Sequence, residues 1–336
     1  MAIRVAVNGF GRIGRLVTRA LIEQDRKDIE IVAINDLGTV AANAHLLKYD
    51  SVHGRHKGEI KTGDNWMDIG KGRIAVSAER DPAKLPWKEL KIDVALECTG
   101  LFTKREAAAK HLEAGAKRVI ISAPAGGVDF TLVMGVNSDQ LKPAHKVLSN
   151  GSCTTNCLAP VAYVLNESIG IEYGYMTTIH SYTGDQNTVD TQHKDMRRAR
   201  AAALNMIPTS TGAAKALGLV LPALQGKLDG TSIRVPTADV SLIDFSFTAP
   251  RDTNAKEINE LMVKAANSNR FKGILAVNRD ETVSGDFIHD PHSAIFDLTQ
   301  TAVMGTRFCR VLAWYDNEWG FSNRMVEAAA LVGAFG

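Results

Sequence analysis

The sequence predicts an α/β protein of two domains: a parallel sheet covered by helices on both faces, then an α+β domain with a largely antiparallel sheet. Up to about residue 150, short β-branched runs without polar alternation are separated by helix-period segments, the pattern of strands buried on both faces. Beyond Cys153 the strands lengthen and carry polar interruptions, as a sheet with one covered face requires. The 336 residues also exceed the ~250 at which a single core stops growing. With 45% hydrophobic and 23% charged residues, the chain can build a large core and is not expected to be disordered. Its 39 basic and 37 acidic residues leave a formal charge of +2, which gives no global reason to expect nucleic acid or an anionic membrane as partner.

Each element follows from its local pattern. "IRVAVNG" reads as the first strand, residues 13–24 as an amphipathic helix, "IEIVAIND" as a second strand and "VAANAHLLKYD" as a helix. Residues 65–77 break this rhythm and read as a hairpin insertion. "IDVALECTG", a helix over 104–114, "RVIISAP" and a strand "TLVMGVN" complete the first domain. In the second, "CLAPVAYVLNES" is a helix, and "IEYGYMTTIHSYT", "SIRVPTADVSLIDFSFTA" and "TRFCRVLAWYD" are strand regions. Residues 182–208 form a long polar loop, and loops of that length are usually functional or interfacial. Residues 317–331 have Asn317 as candidate N-cap and Phe321, Met325 and Ala329 at helical spacing, a helix that suits either domain. Four scattered cysteines do not make a disulfide scaffold and fit a reducing, cytosolic setting. No run of ~18 apolar residues occurs, and a glycine turn by residue 9 leaves no room for a leader.

"NGFGRIGR" places Gly9-x-Gly11-x-x-Gly14 between the first strand and the first helix. Gly9 permits the tight turn, Gly11 lets a pyrophosphate approach the backbone, Gly14 allows helix and strand to pack closely, and the helix N-terminus supplies donors. The second strand ends in Asn35-Asp36, at the distance where an acidic residue binds ribose hydroxyls. Together these features predict a Rossmann-type dinucleotide domain. Asp36 would repel the extra phosphate of NADP and Leu37 offers no offsetting cation, so NAD is preferred, although Arg80 can soften that preference.

The segment "SNGSCTTNCLAP" sets Cys153 where polar chain becomes an apolar helix. Cysteine is most often a buried filler, and a free thiol of pKa ~8.5 is largely protonated at neutral pH, so a reactive role needs help. Helix N–H groups at Cys153 would supply part of it, and an imidazolium the rest; His180, at the end of "YGYMTTIH", is the candidate. Cys157, one helical turn deeper, reads as structural, and His45 and His111 as solvated or packing residues. His289 and His292 in "HDPH" lack a third ligand at metal spacing and read as a turn, so no metal is expected. An anionic substrate would suit Arg197, Arg198 and Arg200, the helix entry from Thr209 to Gly212, and Arg234 in a strand. For any single arginine of the run, the reading as a solvated face or a subunit contact wins.

Taken in order along essentially the whole chain, "VNGFGRIGR", "SCTTNCLAP", "TTIHSYTGDQ", "RRARAA", "PTSTGAAKA", "RVPT" and "WYDNEWGFSNR" resemble phosphorylating glyceraldehyde-3-phosphate dehydrogenases. Two departures are Gly151, where the family usually has alanine, and Gln192, where a proline is common in NAD-specific members. The resemblance implies that Cys153 attacks the aldehyde, and that His180 lowers its pKa and takes the hydroxyl proton as hydride leaves for the nicotinamide. Phosphate then cleaves the resulting thioester, with backbone N–H groups near Cys153 stabilising the oxyanion. It implies Thr183 and Arg234 around the substrate phosphate, with Ser152, Thr154, Arg198, Thr211 and Gly212 around the attacking phosphate. For NAD it implies Gly9, Gly11, Arg12, Ile13, Gly14, Asp36, Arg80, Ser122 and Asn317, the last facing the nicotinamide amide. It returns the terminal helix to the first domain, giving 1–151 with 317–336 for NAD and 152–316 for catalysis. It also implies a cytoplasmic homotetramer with the 182–208 loop at a subunit interface. A paralogue acting on erythrose 4-phosphate, and a binding protein that kept the fold without the chemistry, are the rival readings.

Overall fold

A computed structural model describes residues 2–335 and divides into two compact units. The first comprises Met1–Leu132, Gln140–Gly151 and Ser322–Gly336; the second comprises Val133–Asp139 and Ser152–Phe321.

The first unit is built on a nine-stranded sheet. In chain order its elements are β1 (Ile3–Asn8), α1 (Arg12–Glu23), β2 (Ile29–Asn35), α2 (Val40–Lys48), β3 (Lys61–Thr62), β4 (Trp66–Asp68), β5 (Arg73–Ser77), β6 (Val94–Glu97), α3 (Arg105–Ala108), α4 (Lys110–Glu113), β7 (Arg118–Ile121), β8 (Phe130–Thr131) and β9 (Val147–Ser149). The spatial order β3-β4-β5-β2-β1-β6-β7-β9-β8 puts β1 between β2 and β6, parallel to both. The chain runs from β1 to β2 on one side and, after β5, crosses back to β6 on the other, so the strand order reverses at β1, and the carboxyl ends of these strands form the crevice where such sheets bind ligands. Val5, Ala6 and Val7 of β1 and Leu16, Val17 and Ala20 of α1 are fully buried, as the unalternating strand pattern requires. The expected hairpin is present as antiparallel β4 and β5, and β5 also extends the sheet by pairing parallel to β2.

Three expectations differ in detail. The helix over 104–114 is two short pieces, α3 and α4, broken at Ala109; within α4, His111 is fully buried and its Nδ1 accepts from Trp87 Nε1 at 2.9 Å. The strand "TLVMGVN" ends at Thr131, because Gly135 adopts φ +77° and Asn137 Oδ1 accepts from Val133 N at 2.9 Å, closing a turn. The third is at the end of the chain, where Asn317 does not cap the last helix.

The second unit contains α5 (Cys153–Ser168), β10 (Tyr173–Ser181), β11 (Ile207–Ser210), α6 (Ala213–Val220), β12 (Leu228–Val235), β13 (Ser241–Thr248), α7 (Ala255–Ala266), β14 (Leu275–Asn278), β15 (Ala294–Asp297), β16 (Ala302–Met304) and β17 (Phe308–Tyr315). The sheet order is β11-β12-β10-β13-β17-β15-β14, with β16 on β17. The pairing is largely antiparallel, but β10 runs parallel to β12 and β14 to β15. The stretch 231–249 supplies two strands that are not neighbours, since β10 lies between β12 and β13. Along β13 burial alternates: Ile243, Phe245 and Phe247 face the core, while Leu242, Asp244 and Ser246 are half-buried. That core face packs with Cys157, Leu158, Val161 and Leu165 of α5. Each such side chain contributes about 1.5–3 kcal/mol by leaving water, which anchors the helix whose first residue is Cys153.

The last helix, α8, spans Trp319–Gly333. Asp316, not Asn317, caps it: Asp316 Oδ1 accepts from Glu318 N at 2.9 Å and Trp319 N at 2.6 Å. A full negative charge suits a helix N-terminus better than a neutral amide, and the Asn317 amide oxygen is already taken by two hydroxyls. Among the described residues, no helix is long and apolar enough to cross a membrane.

Candidate active site

Cys153 opens α5. Ser152 is its N-cap, with Oγ accepting from Thr155 N at 3.0 Å. The preceding Gly151 adopts φ +65°, the left-handed region glycine enters without strain, so the residue that departs from the resembled pattern is the one this turn favours. From the end of β10, His180 brings Nε2 to 3.5 Å from Cys153 Sγ. The parallel register pairs His180 with Arg234 of β12, whose Nη1 lies 3.0 Å from both His180 Nδ1 and the Ser181 carbonyl. The shortest contact of Nδ1 is to that carbonyl, at 2.7 Å. A carbonyl only accepts, so Nδ1 carries the hydrogen and Nε2 presents a lone pair to the sulfur.

Electrostatics alter one expectation. Burial, reinforced by Arg234, drives the His180 pKa down to about 3, so the imidazole is neutral at physiological pH. Burial also raises the Cys153 pKa, while Arg234 and hydrogen bonds from Thr154 act against it. The guanidinium of Arg234 is a cation that favours the thiolate here. A second charge on the ring would cost desolvation and repel Arg234; a neutral ring beside the thiol is placed as a base.

The anion-binding candidates separate into distinct groups. Arg198 donates from Nε to Thr209 Oγ1 at 3.0 Å and pairs with Asp185, while Thr209 donates to Asp195 Oδ2 at 3.0 Å. Its neighbours point elsewhere: Arg197 reaches Pro208 O at 3.4 Å and Arg200 pairs with Asp190 at 2.8 Å near the surface. Thr211 Oγ1 accepts from Ala213 N at 3.2 Å, and Gly212, the N-cap of α6, adds no side-chain bond of its own. Thr155 Oγ1 donates to Ala213 O at 3.4 Å, tying the N-terminal ends of α5 and α6 together near Ser152. Thr183 is half-buried in the loop directly after β10. Thr154 is turned inward, 4% exposed, with its hydroxyl 2.8 Å from Tyr315 Oη. Asn317 Oδ1 accepts from Ser181 Oγ at 2.8 Å and Ser241 Oγ at 2.7 Å. His289 and His292 are committed elsewhere, His289 stacking on Trp319 and His292 Nδ1 lying 2.7 Å from Asp290.

In the first unit, a cleft of about 400 Å³ lies at the carboxyl ends of β1, β2 and β6, lined by Asn8, Gly9, Gly11, Asp36, Arg80 and Thr99 among others. Its glycines fit a dinucleotide. A Cβ on Gly9 (φ +91°) would lie 2.7 Å from Thr99 N, and one on Gly14 would lie 2.1 Å from the Gly9 carbonyl oxygen. One on Gly11 would meet nothing within 4 Å, which leaves open space where a pyrophosphate would approach α1. Asp36 accepts from Phe10 N and Gly38 N, each at 2.8 Å, and so braces the turn it was expected to serve. Arg12 is held by Asp50 at 2.5 Å, and the ion pair helps bring the Asp50 pKa down to about 2. Ile13 lies in the first turn of α1, and Ser122 hydrogen-bonds Cys98 of the cleft. Sequence reasoning missed the floor beneath: Glu97 Oε2 accepts from Asn8 Nδ2 at 2.6 Å and contacts His111 Nε2 at 3.0 Å, all three buried. It also missed Tyr315; in both cases the only sequence signal was a polar residue inside an apolar run.

A parallel sheet bearing a dinucleotide cradle, followed by a mixed sheet with a thiol and neutral imidazole at a helix entry, defines a two-domain dinucleotide-binding protein with a cysteine placed for covalent chemistry. Comparison with known families narrows this. Residues 3–105 match the model "Glyceraldehyde 3-phosphate dehydrogenase, NAD binding domain", and residues 152–317 match "Glyceraldehyde 3-phosphate dehydrogenase, C-terminal domain". The chain is 62% identical to the glyceraldehyde-3-phosphate dehydrogenase of Xanthobacter flavus over the whole of both chains. It is 60% identical to that of Cereibacter sphaeroides over 99% of each chain, and 56% to that of Zymomonas mobilis over 98%. The chain belongs to the glyceraldehyde-3-phosphate dehydrogenase family.

Proposed function

We propose that this chain catalyses the NAD-dependent oxidative phosphorylation of D-glyceraldehyde 3-phosphate to 1,3-bisphosphoglycerate. The observation that carries the reading is His180 Nε2 3.5 Å from Cys153 Sγ at the entry of α5. The Cys153 sulfur adds to the aldehyde carbon while the thiol proton passes, by way of His180 Nε2, to the carbonyl oxygen, forming a hemithioacetal with a hydroxyl, with Arg234 offsetting the charge on the sulfur. His180 Nε2 then accepts the hydroxyl proton as the carbon loses hydride, which leaves a thioester on Cys153. NAD, when bound, supplies the hydride acceptor. Inorganic phosphate attacks the thioester carbonyl and expels the thiolate, giving the acyl phosphate and free enzyme. Helix-entry N–H groups at Cys153 suit the oxyanion of both tetrahedral species.

In this reading Thr183 and Arg234 receive the substrate phosphate, and Ser152, Arg198, Thr211 and Gly212 the attacking one; Thr154 contributes its main chain there, since its hydroxyl is engaged with Tyr315. Gly9, Gly11, Arg12, Ile13, Gly14, Asp36, Arg80, Ser122 and Asn317 serve the cofactor. The working form is a cytoplasmic homotetramer. One loop displaying Met196, Leu204 and Met206, each more than 70% exposed, supports a subunit contact there. The test is NADH formation from glyceraldehyde 3-phosphate with phosphate, run beside erythrose 4-phosphate. A clear preference for the triose is expected; equal or reversed rates would transfer the assignment to the erythrose 4-phosphate paralogue.

A further inference from the structure

Asn8, Asn35, Ser77 and Glu97 are the last residues of β1, β2, β5 and β6, four adjacent parallel strands. The register sets them in one row, Asn8 opposite both Asn35 and Glu97, and Asn35 opposite Ser77. Their side chains are joined across the strands. Glu97 Oε2 accepts from Asn8 Nδ2 at 2.6 Å, Asn8 Oδ1 from Asn35 Nδ2 at 2.7 Å, and Asn35 Oδ1 from Ser77 Oγ at 2.9 Å. Asn35 also holds the main chain of Glu79 by both of its groups: Oδ1 accepts from Glu79 N and Nδ2 donates to the Glu79 carbonyl, each at 2.8 Å. At the other end, Glu97 Oε1 accepts from Thr99 N at 2.8 Å and from the Thr99 hydroxyl. Trp87 Nε1 can only donate to His111 Nδ1, so His111 Nε2 carries a hydrogen and donates to Glu97 Oε2 at 3.0 Å. Asn8, Asn35, Glu79, Arg80 and Thr99 line the dinucleotide cleft, so the row underlies both of its walls.

We propose that Glu97 is a positioning residue for the dinucleotide: besides the Thr99 wall beside it, it fixes the Glu79–Arg80 wall through this row. That wall begins three strand spacings from Glu97, roughly 14 Å. The proposal rests on the reading of the cleft as the cofactor site. An amide has one donating and one accepting end, so each asparagine can turn only one way once its neighbour is set. A carboxylate at 97 draws the nitrogen of Asn8, Asn8 then draws the nitrogen of Asn35, and Asn35 so turned matches the N–H and C=O of Glu79. In Glu97→Gln the one remaining oxygen is needed by Thr99 N, and the new amide nitrogen faces Asn8 Nδ2. Asn8 can turn over to meet it, and Asn35 after Asn8, but the main chain of Glu79 cannot. The conflict of donors then comes to rest against that wall. A buried polar row holds its shape only when every member is matched.

The experiment is hydrogen exchange, read by mass spectrometry on the full-length protein without cofactor, in the peptide that contains the Glu79 N–H. Glu97→Gln should speed exchange there about tenfold, while β7, the other neighbour of β6, exchanges as in the wild type. Asn8→Ala cuts the row without setting a donor against it and should speed the same peptide; the two changes combined should do no more than the larger alone. In titrations, Glu97→Gln should weaken NAD and ADP-ribose by the same factor, about tenfold, because both carry the ribose and pyrophosphate assigned to Asp36 and Gly11. Unchanged exchange at Glu79 overturns the proposal. So does equal acceleration in β7, since Glu97 would then be holding only its own strand, and so does a loss confined to NAD. Should Glu97→Gln not fold, Asn8→Ala carries the same predictions. Failure of the wild-type protein to bind NAD would refute the cofactor reading instead, and the exchange result needs no cofactor.

Discussion

The two ends of this chemistry are built from different material. At the nucleotide end the cradle is main chain: two glycines whose missing Cβ atoms admit backbone at 2.1 and 2.7 Å, and a helix entry facing open space. At the thiol end it is side chains from separate elements: Cys153 on α5, His180 on β10, Arg234 on β12 and Tyr315 on β17. A main-chain site tolerates few changes of shape but has no proton to manage, whereas the side-chain site depends on which group carries which proton.

Substitutions can break that contrast. The largest effect is expected for Cys153→Ser, which should abolish turnover by several orders of magnitude while NAD titrates as in the wild type; retained turnover would remove the catalytic assignment. Next is Gly14→Ala. Its methyl group must displace the Gly9 carbonyl, so stability should fall by about 1–3 kcal/mol and NAD affinity with it, read by thermal melting and titration, while Cys153 alkylation is unaffected. A smaller effect separates the two partners of the sulfur. Arg234→Leu should move the alkylation profile to higher pH, because the removed cation favoured the thiolate. His180→Asn should move it less, because the ring it removes is neutral, yet lower kcat about 10²- to 10⁴-fold through loss of the base. A larger alkylation shift from His180→Asn would restore the imidazolium reading.

The smallest effect is in acid. The unfolded chain protonates His180 near pH 6.5, but the folded protein does so only near 3. Between these values the unfolded state binds more protons, so this group's share of stability falls as pH drops through the window. His180→Asn should flatten denaturant-measured stability between pH 6.5 and 3, and an identical slope in both proteins would place the acid sensitivity elsewhere. Asp50 behaves similarly lower down: with its pKa at about 2, its stabilising pair with Arg12 is lost only as pH approaches that value.

The two ends also differed in how far they were legible. Gly9, Gly11 and Gly14 with Asp36 could be read because cradle and carboxylate lie within one strand–helix–strand unit, where spacing is geometry. Cys153 at a helix entry and His180 at a strand end were placed by the same local logic. The buried Glu97–His111 floor and the Tyr315–Thr154 hydroxyl contact were not, since each joins residues far apart in sequence whose only local sign is a polar group in an apolar run. Asn317 was read as a helix cap from its position, but Ser181 and Ser241 recruit it and Asp316 takes the helix.

By itself, the amino-acid order determined what depends on near neighbours: the alternation of strands and helices, the glycine cradle, and the entry of α5 at the thiol. Only the tertiary structure decided the protonation of the pair. Parallel registry of β10 with β12 sets a half-buried Arg234 beside the buried His180, and that burial together with the neighbouring guanidinium disfavours charge on the ring. Charge is distributed by distance and burial, and neither can be read from residues more than fifty positions apart until the strands that carry them are paired.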